Sequence, residues 1–177
     1  MVADWQLIGR EDGAKGRDAA YLGNHRKSCA EYGIVPDLSK YNKGYEEGLN
    51  IYCDEYNGFK QGEQGADYKG VCPSHLEHDF LVGYNKGREI YLLKSRINQA
   101  KASVRTNEHE MEELDKDIKS LEDSLVSDET TSDTRRELLE DLKEKQEERG
   151  SLENESKTLI IEAARLEGEL KGMGYGG

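Results

Sequence analysis

Proline is almost missing from this sequence, with only Pro36 and Pro73 present and none beyond residue 73. Nothing in the second half is therefore forced to break a helix. Cysteine is confined to Cys29, Cys53 and Cys72, so the second half has no covalent staple. No run approaches the roughly 18 apolar residues that a membrane-crossing helix requires. A basic excess is also lacking: 25 Lys and Arg face 37 Asp and Glu, a formal charge of −12. That balance argues against nucleic acid and against anionic lipid surfaces, both of which are bound by Lys/Arg clusters. Neither a Gly-x-Ser-x-Gly elbow, a phosphate loop nor a His-Glu-x-x-His helix occurs, and no catalytic constellation is expected.

What is abundant is heptad spacing. Ile90, Leu93, Ile97, Ala100, Val104, Met111, Leu114, Ile118, Leu121 and Leu125 form one apolar series. Leu138, Leu142, Leu152, Leu159, Ala163, Leu166, Leu170 and Met173 form a second. Apolar residues recurring every 3.5 positions on a charged background are the mark of a coiled coil. The polar break at 127–132 makes the loop, and Thr131, Ser132 and Asp133 are candidate caps for the helix after it. A short loop forces the arms to run antiparallel. The simplest register then sets Leu121 against Leu138, Ile118 against Leu142 and Leu114 against Lys145. It also sets Ala100 against Leu159, Ile97 against Ala163, Leu93 against Leu166 and Ile90 against Leu170. Asn107, Lys145, Arg149 and Ser156 fall at inward positions, where a polar residue costs stability but fixes register. The Glu/Lys interleaving of 108–157, His109 included, reads as a solvated flank.

The first half is a different object, rich in glycine and tyrosine and poor in Val, Ile and Leu. A loose repeat runs through it, an aromatic residue followed three or four positions later by glycine. It is seen in Trp5…Gly9…Gly13…Gly16, Tyr41…Gly44…Gly48, Phe59…Gly62…Gly65 and Phe80…Gly83 with Tyr84…Gly87. Glycines four apart share a helix face and make a smooth stripe that another backbone can approach. The stripes serve close helix packing or, alternatively, a ligand groove lined by Trp5, Tyr41, Tyr45, Tyr52, Tyr56 and Tyr84. Helices are expected at about 5–15, 18–32, 37–54 and 58–64, with a last one running from about 75 into the long arm. Asp37 or Ser39 would cap the third, and Ser74 with Glu77 the fifth.

So small a core needs disulfides, a metal or packed aromatics. A bond between Cys53 and Cys72 would close a loop worth about 3 kcal/mol in the chain-entropy model. A metal would draw on His25, Cys29 and His75, since His25 and Cys29 lie one helical turn apart. The spacings match no standard Cys-x₂-Cys pattern, so no resident cofactor is expected.

The same residues carry a resemblance. Asp4-Trp5…Ile8-Gly9…Asp12-Gly13…Gly16, His25…Cys29…Tyr32-Gly33 and Pro36-Asp37 are followed by Tyr41…Gly44…Gly48-Leu49…Tyr52-Cys53. Gly58…Gly62…Gly65…Tyr68…Gly70-Val71-Cys72-Pro73 then leads to Phe80…Tyr84…Gly87. Over residues 4–91 the chain resembles domain-of-unknown-function family 2799, small lipoproteins of Gram-negative envelopes. The resemblance implies an exported protein, periplasmic or associated with the outer membrane, and no particular activity. Family members carry a further cysteine shortly before the position of Trp5, where this sequence has Met1-Val2-Ala3. That departure accounts for the odd count and is consistent with a lipid anchor having been removed. It leaves Cys29 without a partner and favours the bond Cys53–Cys72.

The expectation is an all-α protein: a small disulfide-stapled helical head at 1–84, then a long antiparallel two-helix hairpin at 85–173 with its turn at 127–132. It would act as a non-enzymatic envelope scaffold that docks a protein partner or a second copy. The alternative is a small ligand- or metal-binding module built on the head.

Overall fold

The computed structural model describes residues 3–175, all helix and connection with no strand among them. Six α-helices follow one another: α1 (Trp5–Ala14), α2 (Leu22–Ala30), α3 (Leu38–Tyr52), α4 (Glu55–Glu63), α5 (Ser74–Leu125) and α6 (Ser132–Gly172). A single 3₁₀ turn, Ala19–Tyr21, leads into α2. The chain divides into two compact units between Leu92 and Leu93, within α5 and eight residues beyond the expected 84. Among the described residues no helix is long and apolar enough to cross a membrane.

Helix starts follow cap chemistry. Asp4, Asp37, Asp54 and Thr131 each accept the backbone N–H three residues on, satisfying a donor that the first turn leaves orphaned. Thr131 is thus the cap among the three candidates, and Asp37 rather than Ser39 caps α3. The start of α5 departs from expectation. Ser74 lies inside the first turn, because the Pro73 carbonyl already accepts from Leu76 and Glu77. Glu77 instead accepts the Tyr68 hydroxyl at 2.9 Å.

The first unit is built twice on one plan. α1 and α3 run parallel: Gly9 faces the backbone of Tyr41 and Tyr45, and Gly13 faces that of Tyr45 and Leu49. Gly44 and Gly48 return the contact against Gln6 and Arg10. α4 and the start of α5 repeat it, with Gly58 on Phe80, Gly62 on Tyr84, Gly83 on Glu55 and Gly87 on Phe59. A Cβ at any of these eight positions would collide with a backbone carbonyl oxygen, so only glycine lets the helices approach so closely. Each first helix also ends alike. Gly16 and Gly65 adopt positive φ, and the next residue, Arg17 or Ala66, donates its N–H to the carbonyl five back. That is a Schellman cap. Tyr52 and Tyr91 close over the two cap glycines, and Tyr45 and Tyr84 donate their hydroxyls to the carbonyls of Arg17 and Ala66. The loose aromatic–glycine repeat of the sequence is this duplicated parallel pair.

Cys53 and Cys72 form a disulfide and lie in the core with Leu49 and Phe80. Tyr52, Tyr68 and Tyr84 stack or tilt against Phe80 with ring centroids 4.8–6.1 Å apart. Packed aromatics and one bond thus replace the missing aliphatics, as a unit this small requires.

In the second unit α5 and α6 form the antiparallel hairpin. Arg149 pairs with Asp115, Lys145 with Asp117 at 3.6 Å and Arg96 with Glu162 at 2.6 Å. The seam buries Leu93, Ile97, Ala100 and Leu114 from one arm and Ala163, Leu166 and Leu170 from the other. The register lies about one helical turn from the simplest pairing: Ile97 borders Glu167 and Leu170, and Leu121 borders Asp141 and Glu144. Leucine spacing alone does not distinguish registers one turn apart, because each keeps apolar positions facing. Arg149 and Lys145 sit at the rim of the seam, in ion pairs with Asp115 and Asp117. Asn107 and Ser156 are buried in the seam as expected, and among the described residues Asn107 Nδ2 and Ser156 Oγ have no hydrogen-bond partner.

Candidate functional site

The two halves of the head differ in chemistry around Asp12 and Tyr41. Asp12 stands where the second pair has Gln61, one residue before the second glycine of the stripe, and Tyr41 stands where it has Phe80. Asp12 is only 2% exposed, yet it carries a carboxylate. Its Oδ1 accepts from the Arg17 guanidinium at 2.8 Å, and its Oδ2 accepts the Tyr41 hydroxyl at 2.9 Å and faces His25 Nε2 at 2.7 Å. An ionised carboxylate only accepts, so the His25 proton sits on Nε2.

The helices deliver these groups for local reasons. The stripe Gly9/Gly13 turns the neighbouring Asp12 toward α3, where Tyr41 opens the facing stripe. The glycine cap at Gly16 reverses the chain so that Arg17 folds back over the carboxylate. α2 then carries His25 across, with Tyr21 edge-on to its ring at 5.2 Å and Arg17 over the Tyr21 ring at 4.2 Å. α2 has no buried residue of its own, so its hold on the pair depends on this cluster rather than on an apolar face.

Electrostatics follow the geometry. Burial pushes the Asp12 carboxyl up, but hydrogen bonds from His25, Tyr41 and Arg17 outweigh it and hold the group below the usual carboxylate range. Burial, reinforced by the Asp12 charge, pushes the Tyr41 phenol well above its ordinary value, so it acts as a donor at any physiological pH. A buried charge satisfied on both oxygens by three side chains ties α1, α2 and α3 together.

The residues expected to bind are placed unevenly. His25, Cys29 and His75 are not brought together: His25 is committed to Asp12, Cys29 is a half-buried free thiol on α2, and His75 is exposed on the first turn of α5. Among the described residues no three His, Cys, Asp or Glu side chains converge on a point where a metal ion could sit. Cys29 and His25 lie one turn apart on α2, and the His25 ring bonds Asp12 at 2.7 Å. Of the aromatics expected on a binding face, Trp5 and Tyr41 are core residues, because the glycine stripes draw their helices too close to leave a groove. Tyr45, Tyr52 and Tyr84 are half-buried, with Tyr45 and Tyr84 spent on the cap carbonyls, and Tyr56 is exposed beneath the Lys60 ammonium.

Two features were not anticipated. One is Asp12, whose signal in the sequence was a lone carboxylate inside a glycine stripe. The other is an open cleft of about 420 Å³ between the 3₁₀ turn and the entry to α3, lined by Ala19, Leu22, Val35, Pro36, Leu38 and Arg26. Val35 there is 82% exposed and the adjoining Leu38 60%.

Residues 4–89 match the model of a family described as a protein of unknown function (DUF2799), just under half of the chain. No curated protein and no solved structure matches.

Proposed function

Taking as premise that residues 4–89 belong to the DUF2799 family, we propose that the chain is a non-enzymatic interaction or scaffold protein of the Gram-negative cell envelope. The hairpin is its docking element. One observation carries the reading: α6 has 41 residues but buries only Ser156, Ala163, Leu166 and Leu170, and it leaves Leu139, Ile160 and Ile161 more than half exposed. A helix of that length, about 60 Å, is long out of proportion to the core it closes, and its uncovered aliphatics suit a protein partner. The Cys53–Cys72 bond supports an oxidising compartment, hence the periplasm or the periplasmic side of the outer membrane.

The test is a photo-crosslinking residue placed at Ile161 in the full-length chain and irradiated in intact cells. A discrete adduct in the envelope fraction is expected, with a control label at exposed His75 giving none. Abundant folded protein without any adduct from positions 139, 160 or 161 would remove the docking reading. Recovery of the chain in the cytoplasm with Cys53 and Cys72 reduced would remove the compartment.

A further inference from the structure

Charge is graded along the hairpin. Residues 93–107 with 158–171 carry six basic and three acidic side chains, whereas 108–157 carry eight basic and 19 acidic. On one flank of α5 the change is abrupt. Lys94, Asn98, Lys101 and Arg105 succeed one another at three- and four-residue steps, and Glu108 and Glu112 continue the row with the opposite sign. This flank borders two adjoining hollows between α5 and α6, of about 630 and 400 Å³. Glu167 lines both, so they form one groove, floored by Ile97, Val104, Ile160, Ala163 and Leu170. Lys101 spans it to Glu167 at 2.6 Å. Arg105 donates to the Lys101 carbonyl, and Glu112 feels the Lys116 ammonium one turn on.

An occupant that suits this flank must be acidic opposite Lys101 and Arg105 and basic opposite Glu108 and Glu112. The chain itself has that order when a second copy is turned end for end. Arg105 of one copy then meets Glu108 of the other, Lys101 meets Glu112, and a two-fold axis repeats both pairs. The groove beside the row brings Ile160 of each copy toward the same axis, giving the contact an apolar centre and a charged rim. We propose that this flank, Lys94 to Glu112 with its groove, is the face on which two copies of the chain pair antiparallel into a four-helix bundle. The proposal rests on the docking reading above and names the chain itself as a partner.

Sedimentation equilibrium on the full-length protein tests it, together with zero-length carbodiimide cross-linking. Lys101 and Glu112 are eleven residues apart on one straight helix, about 16 Å, so a cross-link between them joins two copies. A dimer mass and that cross-linked peptide are expected. Arg105→Glu or Glu108→Arg alone should weaken the dimer about tenfold or more, and the two together should restore it to within about threefold, because the swap re-forms the pair. Unchanged helical circular dichroism in each variant separates this from misfolding. A monomer at about 100 μM chain overturns the self-pairing, because even an interface of micromolar affinity would be mostly dimeric at that concentration. In that case an adduct at Ile161 with a different protein leaves the docking reading standing. A dimer that ignores both reversals and lacks the cross-link overturns the assigned face.

Discussion

Replacing Gly44 by alanine puts a methyl group where the carbonyl oxygen of Gln6 already lies, and the same change at Gly83 meets the carbonyl of Glu55. Helix propensity alone favours alanine by about 1 kcal/mol. Packing opposes it, because a backbone carbonyl cannot rotate aside as the end of a flexible side chain can. The two helices must separate, and every contact along the stripe loosens with them. Overpacking of this kind costs about 1–3 kcal/mol, and with loss of dispersion contacts the balance should be a net loss of about 1–2 kcal/mol. Gly150 and Gly168 on α6 are the controls, with open space where a Cβ would be built. There the propensity gain is unopposed, worth up to about 1 kcal/mol. Thermal unfolding followed by far-ultraviolet circular dichroism, at one chain concentration, should separate the pairs by sign. At about 2–4 °C per kcal/mol for a chain this long, Tm should fall for Gly44→Ala and Gly83→Ala and rise for Gly150→Ala and Gly168→Ala. Neutral or stabilising effects at Gly44 and Gly83 would refute the close-packing argument. A large effect at one and none at the other would refute the equivalence of the two helix pairs.

Two further outcomes are expected. Asp12→Asn should destabilise the protein by about 2–4 kcal/mol, because Arg17 and His25 lose a buried anionic partner. Since the folded state holds the Asp12 carboxyl below its ordinary value, the stabilisation it confers is complete above that value and lost as pH falls through the folded one. The gap in urea midpoint between wild type and Asp12→Asn should therefore be full at pH 7 and shrink below about pH 4. A gap that widens on acidification would contradict the assigned role. Changing Cys53 and Cys72 together to serine opens a loop of sequence separation 19 and should cost about 3 kcal/mol. Thiol titration of the untreated native protein should find one reactive group, Cys29, and two or more would speak against the bond.

The hairpin was legible because its signal is redundant. Eighteen apolar positions repeat one spacing, so the arms and the turn stand out even though Asn107 and Ser156 interrupt the seam. Its register was less legible, since leucines one turn apart are nearly interchangeable. Helix ends in the head were readable where an Asp or Thr side chain caps them, and misread at Ser74, where the Pro73 carbonyl does that work. The glycine stripes announced close packing but not that the packed helices run parallel. That depends on the connectors at 15–37 and 64–73 carrying the chain back, which no local pattern encodes. The tyrosines were the least legible, because an amphipathic ring serves equally as a ligand contact or as a core residue with one hydroxyl to satisfy. Here the carbonyls freed at Arg17 and Ala66 by the glycine caps supply acceptors for Tyr45 and Tyr84 inside the fold.

The two connectors show why one half of the head needs a buried charge and the other does not. A parallel pair requires a crossing segment, and that segment must be fastened to the helices it joins. In the second pair the crossing is short: Cys72 is tied covalently to Cys53, and Tyr68 lies on Phe80 with its hydroxyl on Glu77. Replacing Phe80 with a polar ring there would bury a hydroxyl beside stacked aromatics with no carboxylate to receive it. In the first pair the crossing is longer and includes α2, its cysteine is unpaired, and no residue of α2 is buried. What fastens it is His25 on Asp12, with Tyr41 supplying the proton that Phe80 could not. The carboxylate occupies the role that the disulfide fills in the duplicate, and a fastening made of titratable groups is by nature reversible where the covalent one is not.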